Sequence, residues 1–159
     1  MEVKRKIVND SLNANSMEIV TWGPKYATGI ASIDKQHKDL VDLTNKLYHA
    51  CLTRDENIET AFGDAVSRLV EYVRLHFTDE LTLLKRINYP RYAEHKEEHD
   101  NLVRNILYSA ADYEVGKKLV PNQFVRTLKD WIFGHIAVSD QIYSGYVNEQ
   151  KKKGLLKEL

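Results

Sequence analysis

The stretch from residue 76 to residue 99 reads HFTDELTLLKRINYPRYAEHKEEH and carries two pairs of potential metal ligands. His76 and Glu80 are four residues apart, as are His95 and His99, so each pair projects from one face of a helix. An Asn-Tyr-Pro sequence interrupts the helical pattern between the pairs. Short connections make neighbouring helices antiparallel, so the end of one helix and the start of the next bring the two pairs together.

The same helical periodicity extends over four amphipathic segments, with apolar residues three and four apart. The segments are separated by breaks at 53–57, at 88–90 and at 116–121, where Gly116 suits a helix end and Pro121 a helix start. Few stretches resemble strands. The sequence therefore predicts an all-α protein, an up-down-up-down antiparallel four-helix bundle.

Length and composition limit the possible functions. The chain has 159 residues, enough for one domain, and its 23 basic and 23 acidic residues give a formal net charge of zero. The chain has no basic excess that would favour nucleic-acid binding. No apolar run approaches the roughly 20 residues of a membrane span. The N-terminus lacks the apolar core of a secretory signal. Cys51 is the single cysteine, which excludes an internal disulfide and fits a reducing compartment. We expect a soluble, cytoplasmic protein.

Three further ligand-type residues lie on the inward faces, namely His37 in the first helix and His135 and Asp140 in the fourth. The ligands lie near the start of the first and third helices and near the end of the second and fourth. In an antiparallel bundle these positions meet at one end. Seven ligands exceed the four of a zinc site but suit two metal ions that share bridging carboxylates. Five imidazoles favour a transition metal such as iron over calcium or magnesium. If the five imidazoles are divided three and two between the ions, one ion keeps an open position.

The spacing of five between His135 and Asp140 does not fit an ideal α-helix, because it places the two residues roughly 140° out of phase. We therefore predict a π-type bulge between them, a feature that often occurs at functional sites.

The four ligand-bearing segments resemble those of the hemerythrin family, in particular single-domain bacteriohemerythrins. Trp22 and the Gly29-Ile30 pair also resemble that family's N-terminal arm, so the bundle is expected to carry an extended N-terminal arm. The polar composition of residues 1–18 predicts a flexible tail, and the lysine-rich end predicts a C-terminal tail over 151–159. The di-iron bundle is expected between them, over 19–150. The four segments are IDKQHK at 33–38, HFTDE at 76–80, YPRYAEHKEEH at 89–99 and WIFGHIAVSD at 131–140.

The resemblance implies a non-haem pair of iron ions, oxo- or hydroxo-bridged, in which Glu80 and Asp140 are shared. One iron would be held by His95, His99 and His135, and the other by His37 and His76, where dioxygen would bind. Leu84 stands where many members carry methionine, and Tyr143 matches a family tyrosine near the cluster. The residues expected to form the oxygen pocket are Leu40, Phe77, Leu84, Trp131, Ile132, Ile136 and Tyr143.

Three functions remain open at this stage. Reversible dioxygen binding, for transport, storage or sensing, is favoured over catalysis because neutral imidazoles disfavour the high-valent iron of oxidation chemistry. The alternative is a di-iron enzyme that reduces peroxide or nitric oxide or detoxifies oxygen. Iron storage fits poorly, because no further carboxylate-lined cavity is evident. The sequence identifies no protein partner and is compatible with a monomer.

Overall fold

The computed structural model describes residues 18–53, 56–117 and 120–156. Four helical rods form an antiparallel bundle, and the predicted all-α architecture is confirmed. Most of the predicted N-terminal tail lies outside the described residues, and the predicted domain limits stay predictions. The first three rods are α1 (Ala31–Thr53), α2 (Ile58–Arg86) and α3 (Tyr92–Glu114); the fourth comprises α4 (Val120–Trp131), a π-helical segment (Ile132–Ser139) and α5 (Asp140–Lys152).

The helices end where the predicted breaks fall. After α2, Asn88 adopts a left-handed conformation with φ 51°, and the Tyr89 N–H donates to the Leu84 carbonyl at 2.9 Å. After α3, Gly116 adopts φ 76°, a conformation that glycine tolerates without steric cost. Pro121 lies in the first turn of α4, where its missing N–H leaves no helical bond unmade. These two turns reverse the chain and place the ligand-bearing ends of neighbouring helices side by side.

The fourth rod contains the predicted π-type bulge. The Asp140 N–H donates to the carbonyl of His135, five residues earlier, instead of four. This wider turn compensates for the five-residue spacing and lets both side chains face the same interior. The prediction is confirmed.

An extended N-terminal arm lies against the bundle, with one short turn at Pro24–Tyr26. The Asn45 side-chain amide holds its beginning, since it accepts from the Ile19 and Val20 N–H groups and donates to the Val20 carbonyl. The Asp34 carboxylate holds its end, accepting from the Thr28 N–H at 2.6 Å. Hydrogen bonding thus fixes the arm beside the first ligand-bearing helix.

The apolar core is divided in two by the layer of ligand-type residues. The larger part fills the bundle between Val20 and Ile136, and includes the fully buried Leu69, Phe124 and Leu128. On the other side of the layer lies a small cluster, which we call the end cluster. It consists of Leu84, Ile87, Tyr89, Tyr143 and Val147. No helix within the described ranges is both long enough and apolar enough to cross a membrane.

Candidate metal centre

All seven predicted ligand residues lie in one buried layer, and none is more than 3% exposed. α1 contributes one of them, α2 and α3 two each, and the fourth rod two. Their ligand atoms form two overlapping groups, and within each group the atoms lie within 4.8 Å of one another. The first group is Glu80, His95, His99 and His135; the second is His37, His76, Glu80 and Asp140.

The imidazole rings face one another through their Nε2 atoms. The Nε2 atoms of His37 and His76 are 3.3 Å apart, and those of His99 and His135 are 3.0 Å apart. A neutral imidazole carries only one N–H. If that proton is on Nδ1, the Nε2 atoms that face each other are both acceptors and cannot hydrogen bond to one another. Nitrogen lone pairs that converge in a buried layer are typical of a cation site.

The two carboxylates lie between the imidazole groups. Asp140 extends one oxygen to each, since its Oδ2 is 3.2 Å from His37 Nε2 and its Oδ1 is 3.1 Å from His135 Nε2. Glu80 Oε2 lies 2.9 Å from His95 Nε2 and 3.0 Å from His99 Nε2. Within the described chain, Glu80 Oε1 and both Asp140 oxygens make no hydrogen bond. Buried carboxylate oxygens of this kind are normally bound to a cation, because leaving them bare is costly.

Residues outside the layer orient two of the imidazoles. Glu98 Oε2 lies 2.5 Å from His135 Nδ1, and Gln36 Oε1 lies 2.9 Å from His76 Nδ1. Gln36 is itself held by Asp79, to which its amide donates at 2.8 Å. An acceptor at Nδ1 keeps the proton there and directs the Nε2 lone pair inward, as at metal-binding histidines.

Aromatic rings pack on three of the imidazoles. Phe77 stacks on His99 with ring centroids 3.7 Å apart, and Trp131 stacks on His135 at 3.8 Å. Tyr72, one turn before His76 on α2, lies nearly parallel to that ring at 4.7 Å. Stacking restricts rotation of the rings and excludes water from their faces.

The electrostatics of the layer favour a cation. Burial lowers the pKa of His76 to about 3, although the Glu80 carboxylate opposes it. Burial also disfavours charge on His135, but Asp140 and other nearby carboxylates outweigh it and raise its pKa to about 10. Burial alone would raise the pKa of Glu80 and Asp140, yet the imidazoles hold the pKa of Glu80 well below its usual value and that of Asp140 at about 2. Both carboxylates therefore remain ionised at neutral pH.

A family model described as the hemerythrin HHE cation binding domain matches residues 28–147. The chain belongs to the hemerythrin family. A bacteriohemerythrin of Methylococcus capsulatus is 30% identical over 128 residues, which cover 80% of this chain and 95% of that protein. A hemerythrin-like protein of Naegleria gruberi is 31% identical over 124 residues, which cover 78% of this chain and 90% of that protein. A solved hemerythrin with a leucine-to-tyrosine substitution superposes with a TM-score of 0.71 at 30% identity, covering 81% of this chain and 97% of its own.

The expected pocket residues of this hemerythrin fall on both sides of the ligand layer. Leu40, Phe77, Ile132 and Ile136 are buried in the larger core, and Trp131 packs against it. Leu84 and Tyr143 instead belong to the end cluster. The predicted oxygen pocket stays a prediction.

Sequence reasoning missed three residues that contact the ligand layer: Gln36, Tyr72 and Glu98. Each was detectable in part. Gln36 precedes His37 and Glu98 precedes His99, while Tyr72 lies four residues before His76 and shares its helix face. Their partners on other helices could not be read from spacing within one segment.

Proposed function

We propose that this hemerythrin binds dioxygen reversibly at a pair of iron ions held by the seven buried ligands. The observation that carries the proposal is the overlap of the two ligand groups. Glu80 belongs to both, and Asp140 extends one oxygen toward each. A single ion would leave one group without a cation, whereas two ions that share both carboxylates use every ligand.

The division of imidazoles sets where a small molecule would bind. His95, His99 and His135 would hold one iron, and His37 and His76 the other, with both carboxylates bridging. The second iron would receive one imidazole fewer, which would leave it a position for a small molecule. When bound, the iron pair supplies the two electrons that dioxygen takes up on binding and returns on release. Because the ligand set is rich in neutral imidazole, we infer binding rather than turnover.

Apolar residues beside the ligands in sequence favour reversibility. Leu40 is buried beside His37 on α1, and Ile132 and Ile136 are fully buried on the π-helical segment. Apolar side chains exclude water, and water promotes the irreversible oxidation of the irons. We assign the pocket to these residues together with Phe77 and Trp131, on the side of the larger core.

The test uses anaerobically reduced, iron-loaded protein. Iron content should be two per chain. The visible spectrum should gain a charge-transfer band when oxygen is admitted and lose it when oxygen is removed by degassing, over repeated cycles. His37→Ala should retain part of the iron but lose the oxygen-dependent band. His49→Ala is the matched control, because His49 is exposed and lies 12 residues, or about 18 Å, further along α1.

Two results would contradict the proposal. One is direct conversion to a stable ferric form without a reversible band, and the other is equal oxygen response in His37→Ala and wild type. Steady consumption of peroxide or nitric oxide, with many turnovers per chain, would replace the proposal with an enzymatic function at the same centre.

A further inference from the structure

Tyr72 brings a hydroxyl group into the interior next to the metal centre. Its ring lies between α1 and α2, where it forms part of the wall of a groove of about 420 Å³ together with Leu40. The ring also stacks on His76 at 4.7 Å and makes an edge contact with Phe77 at 6.3 Å. Tyr72 therefore separates the groove, which opens to solvent, from the ligand layer.

The Tyr72 hydroxyl is buried and makes no hydrogen bond to any described residue. The indole N–H of Trp131 is in the same condition. The two side chains are neighbours, because both rings pack on Phe77, with centroid distances of 6.3 Å for Tyr72 and 5.9 Å for Trp131. The phenol oxygen can accept from the indole N–H, but the phenol proton then still has no acceptor. Burying a hydroxyl donor without a partner costs about 1–3 kcal/mol, so the Tyr72 hydroxyl indicates a missing acceptor.

The position of this donor pair relates it to the open site. Tyr72 stacks on His76, a ligand assigned to the second iron, and Trp131 stacks on His135, a ligand assigned to the first. Both side chains pack with the larger core, the side on which the pocket residues lie. The two side chains therefore lie on the same side of the layer as the proposed pocket.

We propose that the Tyr72 hydroxyl, with the Trp131 N–H beside it, donates a hydrogen bond to the small molecule bound at the metal centre. This inference rests on the proposed function and deepens it. The predicted pocket is otherwise apolar, so a single donor selects among ligands. It favours molecules whose outer atom carries negative charge, such as azide or electron-rich bound dioxygen, over neutral ligands such as carbon monoxide.

The probe is azide, added to iron-loaded protein that has been oxidised in air. Azide affinity is measured by visible titration, and the azide stretching vibration by infrared spectroscopy in H₂O and in D₂O. In wild type, the vibration should shift in D₂O, because the donated proton exchanges. Tyr72→Phe should bind azide about tenfold more weakly, the lower range for a hydrogen bond to a charged group, and its D₂O shift should be reduced or lost.

Tyr113→Phe is the matched control. The Tyr113 hydroxyl is also buried without a hydrogen bond to a described residue, but it packs on Phe62 at 4.3 Å, far from the layer. It lies 14 residues after His99, about 21 Å along α3. Removing it should leave both azide affinity and the vibration unchanged, so the pair separates a contact with the ligand from a general effect of losing a buried hydroxyl.

The outcomes distinguish this inference from the proposed function. A wild-type azide vibration that D₂O does not shift overturns the inference without any variant. Equal azide affinity in Tyr72→Phe and wild type, with normal iron content, also overturns it and leaves the proposed function intact. If wild-type protein holds no iron pair, or shows no azide-dependent band, both ideas fail together.

Discussion

Replacing Glu98 with glutamine tests whether residues outside the ligand layer tune the metal centre. Glu98 accepts the Nδ1 proton of His135 at 2.5 Å, and its side chain is 38% exposed. Glutamine keeps the shape and an acceptor oxygen but removes the charge. Loss of such a partner typically lowers metal affinity 10- to 100-fold. Because solvent screens this partly exposed carboxylate, we expect the lower end, about tenfold or roughly 1.4 kcal/mol.

The assay is competition for ferrous iron with a chromophoric chelator under anaerobic conditions. Glu97→Gln provides the control, because Glu97 is an exposed neighbour on the same helix and its replacement removes the same charge. The chelator concentration that removes half the iron should fall about tenfold in Glu98→Gln and stay unchanged in Glu97→Gln. Equal iron retention in the two variants would refute the argument, since it would show that the Glu98 contact does not support the imidazole.

Three further predictions concern stability. Leu69→Ala should lower the free energy of unfolding in urea by about 3 kcal/mol, because Leu69 is fully buried, whereas Val70→Ala at an exposed position should change it little. Asn45→Ala should cost about 2 kcal/mol in the same assay, since three hydrogen bonds to the arm are lost, and the exposed Lys46→Ala serves as its control. An unchanged urea midpoint would show that these hydrogen bonds to the arm contribute nothing to stability. Anaerobic chelation of the iron should lower the thermal midpoint by about 10 °C, because metal at a thousandfold its dissociation constant adds about 4 kcal/mol.

The main features of the fold could be predicted because they depend on local patterns. Periodicity identified the helices, and Gly116 and Pro121 marked a turn through their backbone preferences. The spacing of His135 and Asp140 predicted the π-type bulge, because only a wider turn brings both to one face.

Other features depend on depth and on contacts between helices, which periodicity does not report. The division of the core is one example: Leu84 and Ile132 both face inward, yet they lie on opposite sides of the ligand layer. Gln36 and Glu98 resemble ordinary surface residues in sequence, and their roles depend on rotamers that reach across to neighbouring helices. Tyr72 is partly exposed as a residue, yet its hydroxyl is buried. The sequence identifies the tyrosine but does not show which of its atoms are buried.

The divided core has a consequence for how metal ions would enter and leave the ligand layer. The end cluster contains five buried residues and forms an apolar group separate from the larger core. Without cations, that layer places two ionised carboxylates in a dry interior, so this end should open at a lower free energy than the whole chain unfolds. Iron exchange would then proceed through fraying of one end while the distal half stays folded. Backbone amides around Tyr89 and Val147 should accordingly exchange hydrogen faster in metal-free protein, while those near Leu69 and Phe124 keep their protection.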